Sequence, residues 1–434
     1  MRPAARLQAA IELTAEIEAE AFAAGLSLED TVRRFLRQRR YAGGGDRRTV
    51  TGLAYDAMRH RGEDLWRLSG RDSMACRLAL RLALAGENWQ DFFSGGEPHG
   101  PSPLSPEDIA AIGEGAEADI GEAPLAARYN FPDFLTAPIE ARFGASVDAE
   151  MAALAQRPGL DLRANGLKSN VDEVRKAIEK EGIISKQTPF SPWGLRLPAG
   201  TAIQSLASFT RGLIEVQDEG SQLAALVTDA RPGQQVVDLC AGAGGKTLAL
   251  AAMMENRGQI HAFDSDARRL KPLAGRVQRA GVRNVQAHAR DDEGEARLTT
   301  LKGRCDIVLV DAPCSGSGTW RRDPSLPWRL TAERLGALVG TQGKLLAEAA
   351  TLLRPGGRIV YVTCSLLPQE NEAVIARFLE RNKAFEIIPY EEFLKEKVRS
   401  DLPPSYSSDT RFLQLGPARH GTDGFFVAAL RLRD

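Results

Sequence analysis

Cys314 and Cys364 stand fifty residues apart, each just after a short apolar run rich in β-branched residues. The first sits in Val308-Leu309-Val310-Asp311-Ala312-Pro313-Cys314-Ser315-Gly316, the second in Ile359-Val360-Tyr361-Val362-Thr363-Cys364-Ser365. Such runs read as strands buried on both faces of a parallel sheet. In an open α/β fold, side chains just beyond the carboxyl ends of the strands line the ligand crevice. Two thiols there can converge on one substrate atom. Their types suit methylation at carbon 5 of a cytosine, which is a poor nucleophile. A thiolate adding to carbon 6 makes carbon 5 enamine-like and able to attack a sulfonium methyl group, after which a second group assists loss of the carbon 5 proton and of the thiol. Asp311, on the same turn as Cys314, is placed to hydrogen-bond the ring edge at N3 and the exocyclic amine while charge builds there.

A second motif supplies a nucleotide site. Val236 to Thr247 reads as a strand, a glycine-rich turn (Cys240-Ala241-Gly242-Ala243-Gly244-Gly245-Lys246) and a helix start whose free N–H groups face a ligand. A phosphate-binding loop of the G-x-x-x-x-G-K-[ST] type has its end in Gly245-Lys246-Thr247, but Cys240 occupies the first glycine position. A dinucleotide fingerprint fails in register, because Gly242-x-Gly244 is followed by Thr247 at the third glycine position. S-adenosylmethionine fits better: Asp264, directly after the run Gln259–Phe263, is placed to accept both ribose hydroxyls. The competing role for Asp264 is an N-cap of the helix that follows.

These residues need a sheet to position them. Beyond residue 219 strands are expected at 235–239, 259–263, 284–288, 306–310 and 357–363, with helices at 245–255, 266–280, 331–353 and 369–382. That alternation predicts a Rossmann-like, doubly wound parallel sheet. Gly424 to Leu430 reads as a last strand, antiparallel at the sheet edge. The segment 150–217 mixes short strands with a helix (171–181) and predicts a small α+β subdomain. Residues 1–140 show helical periodicity only, predicting an all-helical N-terminal domain. There Leu7, Ile11, Ala15, Glu18 and Phe22 mark successive turns, a second helix opens at Ser27, and further helices span 47–68 and 73–86. The expected domains are therefore 1–140, 150–217 and 218–434.

Composition narrows the class. The 434 residues are 43% hydrophobic and 26% charged, ordinary for a globular protein. No apolar run approaches the ~18 residues of a membrane span, and no signal-peptide core follows Met1, so a cytoplasmic protein is expected. The five cysteines lack regular spacing and form no C-x-x-C pair, so neither a disulfide framework nor a metal site is expected. Cys76 and Cys305 read as small core residues. The net charge of −1 implies no global attraction to nucleic acid, leaving local patches such as Arg33 to Arg48, with seven arginines against Asp46. That patch reads equally as a solvated helix face or as a docking surface.

Taken together, the chain resembles the Sun (Fmu) family of RNA cytosine-5 methyltransferases. The matching segments are Leu162 to Lys168, Val216 to Ser221, Asp238 to Lys246, Asp311-Ala312-Pro313-Cys314-Ser315, Thr363-Cys364-Ser365 and Asp423-Gly424-Phe425-Phe426, in family order. The resemblance implies Cys364 as nucleophile, Cys314 as helper in product release, and S-adenosylmethionine contacts from Cys240 to Lys246, Asp264 and Asp311. The N-terminal helices resemble, in shortened form, the NusB-like RNA-binding module of the bacterial ribosomal small-subunit methyltransferase B type. Two departures stand out. Ala241-Gly242-Ala243 replaces the family's Ala-Ala-Pro, and Ala289 stands where an acid usually follows the third strand, with Asp291 as its expected substitute. The expected protein is a monomeric enzyme methylating small-subunit ribosomal RNA, with no membrane or metal partner. Transfer RNA as substrate, DNA methylation, or a non-catalytic RNA-binding assembly factor are the alternatives.

Overall fold

The computed structural model describes residues 1–22 and 28–433. The helix start expected at Ser27 and the Phe22 side chain lie outside the described part. The chain divides into two compact units, Met1–Glu140 with Trp320–Ala332, and Ala141–Thr319 with Glu333–Asp434.

The first unit has helices and no strand among its described residues: Pro3–Ile17, Leu28–Gln38, Gly44–Arg59, Arg61–Arg67, Met74–Leu84 and Pro106–Glu117 are the longer ones. The 47–68 stretch is thus two helices, broken at His60. The first helix buries Leu7, Ala10, Leu13 and Ile17, while Ala15 faces water. Its inward stripe is therefore rotated from the expected one. Cys76 is fully buried, as expected of a core residue. Within the arginine-rich stretch, Arg33 pairs with Asp30 (3.0 Å), Arg34 with Glu16 (2.8 Å) and Arg39 with Glu12 (2.6 Å), whereas Arg37, Arg40 and Arg48 are exposed. Much of that charge is spent inside the unit. The Trp320–Ala332 segment belongs to this unit through its tryptophans: Trp320 stacks on Phe131 at 5.9 Å, and Trp328 donates its indole N–H to Asn130 Oδ1 at 3.2 Å under the Arg61 guanidinium.

The second unit holds two sheets. The smaller has β1 (Leu160–Ala164), β2 (Lys186–Gln187), β3 (Gly194–Leu197) and β4 (Ile214–Val216) in antiparallel order β2-β3-β1-β4. A helix at Val171–Lys180 covers it through Val174 and Ile178, opened by an Asn170–Glu173 capping box. The larger contains β5 (Gln235–Asp238), β6 (Gln259–Asp264), β7 (Val285–Ala289), β8 (Cys305–Asp311), β9 (Leu353–Thr363), β10 (Phe385–Ile388), β11 (Leu413–Gln414) and β12 (Phe426–Leu432). Their order is β10-β12-β9-β8-β5-β6-β7, with β11 beside β12. The stretch from β9 to β7 is parallel. Val236, Ile307, Leu309, Val360 and Val362 pack on one face, and Val237, Val308, Val310, Ile359 and Tyr361 on the other. Burial of each such side chain contributes about 1.5–3 kcal/mol. Cys305 is buried among the second set.

Two expectations are corrected here. The last strand β12 is antiparallel but not at the edge, because β10 pairs along its outer side. The four-residue β10 carries no turn signal and too few residues for a visible alternation. A helix at Asp292–Thr300, absent from the expected series, follows β7. Because β6 and β7 extend to one side of β5, and β8 and β9 to the other, the strand order reverses between β5 and β8. A ligand crevice belongs at that point.

Two histidines of this unit are held neutral. His261 is fully buried with its Nδ1 3.2 Å from His288 Nε2, and burial, aided by the charges of Arg297 and His288, pushes it down to about 4. His420 is likewise pushed down to about 4, mainly by burial, with its Nδ1 accepting from the Gly416 N–H at 3.1 Å. Unfolded, both titrate near 6.5. The unfolded state therefore takes up protons that the folded state refuses. Stability is full above pH 6.5 and declines as pH falls towards about 4, by at most about 3 kcal/mol per histidine. The pH titration of the two imidazole C2–H proton resonances checks this: both histidines stay neutral in the folded protein at pH 5.5, and a midpoint near 6.5 would refute the assignment.

Candidate active site

Parallel pairing places Asp311 of β8 opposite Val362 of β9. The two cysteine turns therefore leave the same sheet edge side by side. Backbone bonds tie them together: the Gly318 N–H donates to the Cys364 carbonyl at 2.9 Å, and the Gly424 N–H donates to the Gly318 carbonyl at 2.8 Å. A Cβ on Gly318 would lie 1.9 Å from the Gly424 carbonyl oxygen, so this approach requires glycine. The sulfurs of Cys314 and Cys364 come to 3.4 Å, with both thiols free. That distance is a thiol–thiol contact, far longer than a bond of about 2.05 Å. The Cys314 thiol is pushed well above its ordinary value by its hydrogen bond to Cys364, then by burial and the neighbouring Glu370 charge. Cys314 keeps its proton.

Asp311 ends β8 beside them, one-third exposed, with its Oδ2 2.7 Å from Lys246 Nζ. That ammonium also sits 5.2 Å from the Phe425 ring centre, at the entry to β12. Lys246 comes from the first turn of the helix after β5, so the β5–β8 neighbourhood joins the glycine loop to the cysteine turns.

The loop Cys240 to Gly245 leads into the Gly245–Met253 helix. Gly244 caps it at φ 83°, where a Cβ would fall 2.1 Å from Leu273 Cδ1. Asp264, 2% exposed at the end of β6, accepts from the Gly242 N–H through one oxygen and the Asp266 N–H through the other, both at 2.9 Å. The N-cap considered for Asp264 is instead Asp266, which accepts from the Arg268 N–H. Asp238 is buried at the end of β5; its Oδ2 accepts from the Thr247 hydroxyl at 2.7 Å, and Oδ1 has no hydrogen bond. Burial pushes its carboxyl up to about 7. This donor set fits S-adenosylmethionine: the orphaned Asp238 oxygen suits an ammonium, Asp264 suits ribose hydroxyls, and the helix start suits a carboxylate. Cys240 lines the same turn as a largely buried thiol raised by burial and the surrounding carboxylates. Asp291 lies two residues past β7, where its Oδ1 caps the Asp292–Thr300 helix by accepting from the Gly294 N–H at 3.0 Å. Ala289, at the matching place, ends β7.

Glu370 and Asn371 were not foreseen as site residues. Glu370 is fully buried and accepts from the Ser315 N–H (2.8 Å) and the Ser315 and Ser365 hydroxyls (2.5 Å each), with Gln342 Nε2 at 3.0 Å. Asn371 accepts from Thr363 Oγ1 at 2.7 Å and donates to the Ser365 carbonyl at 2.9 Å, bracketing Cys364. Arg142 supports the following turn, donating to the Leu366 carbonyl at 2.8 Å and bidentately to Glu372. In sequence the only hint is the polar run Gln369-Glu370-Asn371-Glu372 directly after a cysteine turn. An open groove of about 760 Å³ runs beside the glycine loop, not at the thiols. Its Arg276 and Arg279 both pair with Glu215.

Residues 225–431 match the model of the 16S rRNA methyltransferase RsmB/F family, and residues 131–204 match the ferredoxin-like domain of RsmF/B-like methyltransferases. Among similar proteins is the probable ribosomal RNA small subunit methyltransferase B of Synechocystis sp., 36% identical over 312 residues, covering 71% of this chain and 68% of that one. The protein of the same name from Bacillus subtilis is 33% identical, covering 63% and 60% respectively. The matched stretch thus spans about three fifths to two thirds of these relatives. The crystal structure of PH0851 superposes with a TM-score of 0.76 and 28% identity, covering 99% of each chain. Sequence and architecture agree: the chain belongs to the RsmB/F family of S-adenosylmethionine-dependent methyltransferases.

Proposed function

We propose that this protein methylates carbon 5 of a cytosine in small-subunit ribosomal RNA through a covalent Cys364 adduct. The observation that carries the reading is the 3.4 Å contact between Cys314 and Cys364 beside the Asp311–Lys246 pair. Bound S-adenosylmethionine supplies an electrophilic methyl group on its sulfonium sulfur. Asp238, Asp264 and the Cys240–Lys246 loop would hold it, with Asp291 as the further candidate contact.

The chain's own residues divide the remaining work. The Cys364 thiolate forms a bond to carbon 6, and the carbon 5–carbon 6 π bond gives up its electrons to the ring. Asp311 accepts hydrogen bonds from the exocyclic amine and from the N3–H formed with a proton from water, which N3 returns to water when the adduct collapses, while Lys246 holds the carboxylate in place. Carbon 5 is thereby made nucleophilic. Once methylated, it still carries its hydrogen. Cys314 relays that hydrogen as a proton, taking it up as it passes its own proton to water, so that the thiol is protonated before and after. The electron pair re-forms the double bond, the sulfur–carbon 6 bond breaks, and Cys364 returns as a thiolate. One proton is released per turnover.

The ribosomal substrate rests on the names of the relatives. Incubation with methyl-labelled S-adenosylmethionine and unmodified 16S rRNA, with transfer RNA in a parallel reaction, tests it. Label in 5-methylcytosine of the 16S rRNA is expected. Label in transfer RNA alone would reject the ribosomal substrate, and label on another base would reject the chemistry.

A further inference from the structure

We propose that Glu370 is the positioning residue of the thiol pair, its one carboxylate bridging the Cys314 and Cys364 turns and keeping the two sulfurs in contact. The inference rests on the functional reading above for its catalytic meaning, but its geometric content stands alone.

Four observations support it. Glu370 is fully buried, and at both oxygens it meets donors. Two of those donors are the N–H and hydroxyl of Ser315, the residue after Cys314. A third is the hydroxyl of Ser365, the residue after Cys364. The two serine hydroxyls and that of Ser317 also lie within 3.1–3.2 Å of one another, so the bridge is a closed polar cluster. The fourth observation is that the backbone around Glu370 is pinned too. Tyr361 of β9 donates its hydroxyl to the Glu370 carbonyl at 2.7 Å, and Gln342 donates both to Glu370 and to the Pro313 carbonyl, each at 3.0 Å.

A buried carboxylate is costly, and a network of this kind specifies geometry more than it adds stability. Here the geometry specified is the register of the two turns that carry the sulfurs. The same charge raises the Cys314 thiol, adding to the effect of Cys364 and burial. Glu370 touches neither sulfur nor a substrate position. It acts through Ser315 and Ser365.

The test reads sulfur proximity without any RNA. Diamide oxidises two neighbouring thiols to a disulfide, taking up their two electrons and two protons, and peptide mapping identifies the Cys314–Cys364 link. Wild type is expected to close that link rapidly. Glu370→Ala should close it about tenfold or more slowly, and lower kcat at least as much, with unchanged affinity for S-adenosylmethionine by calorimetry. Glu370→Gln should restore most of both rates: its amide oxygen still accepts from Ser315 and Gln342, and its NH₂ donates to hydroxyls that turn to accept. Should Glu370→Ala fail to fold, the Ser315→Ala/Ser365→Ala double variant removes the hydroxyl links and is expected to show the same slowing. Disulfide closure at the wild-type rate in folded Glu370→Ala, or in that double variant, overturns the proposal. A wild type that closes the link quickly yet leaves cytosine unmethylated would refute the functional reading and not the positioning.

Discussion

Cys364→Ala is expected to fold, bind S-adenosylmethionine and transfer no measurable methyl group to RNA, a loss of about 10⁴-fold or more in kcat. The magnitude follows from the route that is closed. Without a sulfur at carbon 6, carbon 5 of the pyrimidine has no enamine character. Cys314 lies only 3.4 Å away, but its proton is held by burial and by its neighbours, and it leaves from a different turn. Cys364 is partly exposed in a turn and not a core residue, so its removal creates no sizeable cavity. Single-turnover transfer of labelled methyl, together with calorimetry of the donor, measures the split. Methyl transfer within tenfold of wild type would show that the nucleophile lies elsewhere.

The second large effect has the opposite sign at the level of the complex. Cys314→Ala is expected to accumulate a covalent protein–RNA species that survives denaturing electrophoresis, while wild type shows almost none. The Cys364 bond to carbon 6 can break only after the carbon 5 hydrogen leaves as a proton, and Cys314 is the group within reach to take it. Addition and methylation do not need that sulfur, so the cycle halts with the adduct formed. The double variant Cys314→Ala/Cys364→Ala should form none. If Cys314→Ala releases product at the wild-type rate without a stable adduct, water or another group removes the proton and the assignment fails.

How much of this was legible in the chain differs from element to element. The strands bearing both cysteines were legible because a strand buried on both faces must be apolar throughout, and β-branched runs such as Val308–Val310 and Ile359–Val362 say so directly. The glycine turn was legible because Gly244 occupies a left-handed conformation that excludes other side chains. The partnership of Lys246 with Asp311 was not, since it depends on β5 and β8 becoming neighbours across 65 residues of chain. Strand β10 was missed because four residues beside a helix give no period to read, and that misplaced β12 at the edge. Asp264 read as a candidate cap of the next helix, but backbone geometry gives that place to Asp266. Glu370 was invisible for a further reason. Its role is relational: a glutamate in a polar run acquires meaning only when two serines fifty residues apart turn towards it.

The Trp320–Ala332 segment carries a practical consequence. Leaving the second unit a few residues after Cys314, the chain lends this stretch to the helical unit, where Trp320 is only 5% exposed and Trp328 is hydrogen-bonded to Asn130. A truncation beginning at residue 141 would strip away Phe131, Asn130 and Arg61 together. Two indoles would then face solvent on a loop tethered to the reactive turn. Any attempt to prepare a minimal catalytic fragment must therefore also redesign this loop, or it will yield a sticky protein whose poor behaviour says nothing about the reaction.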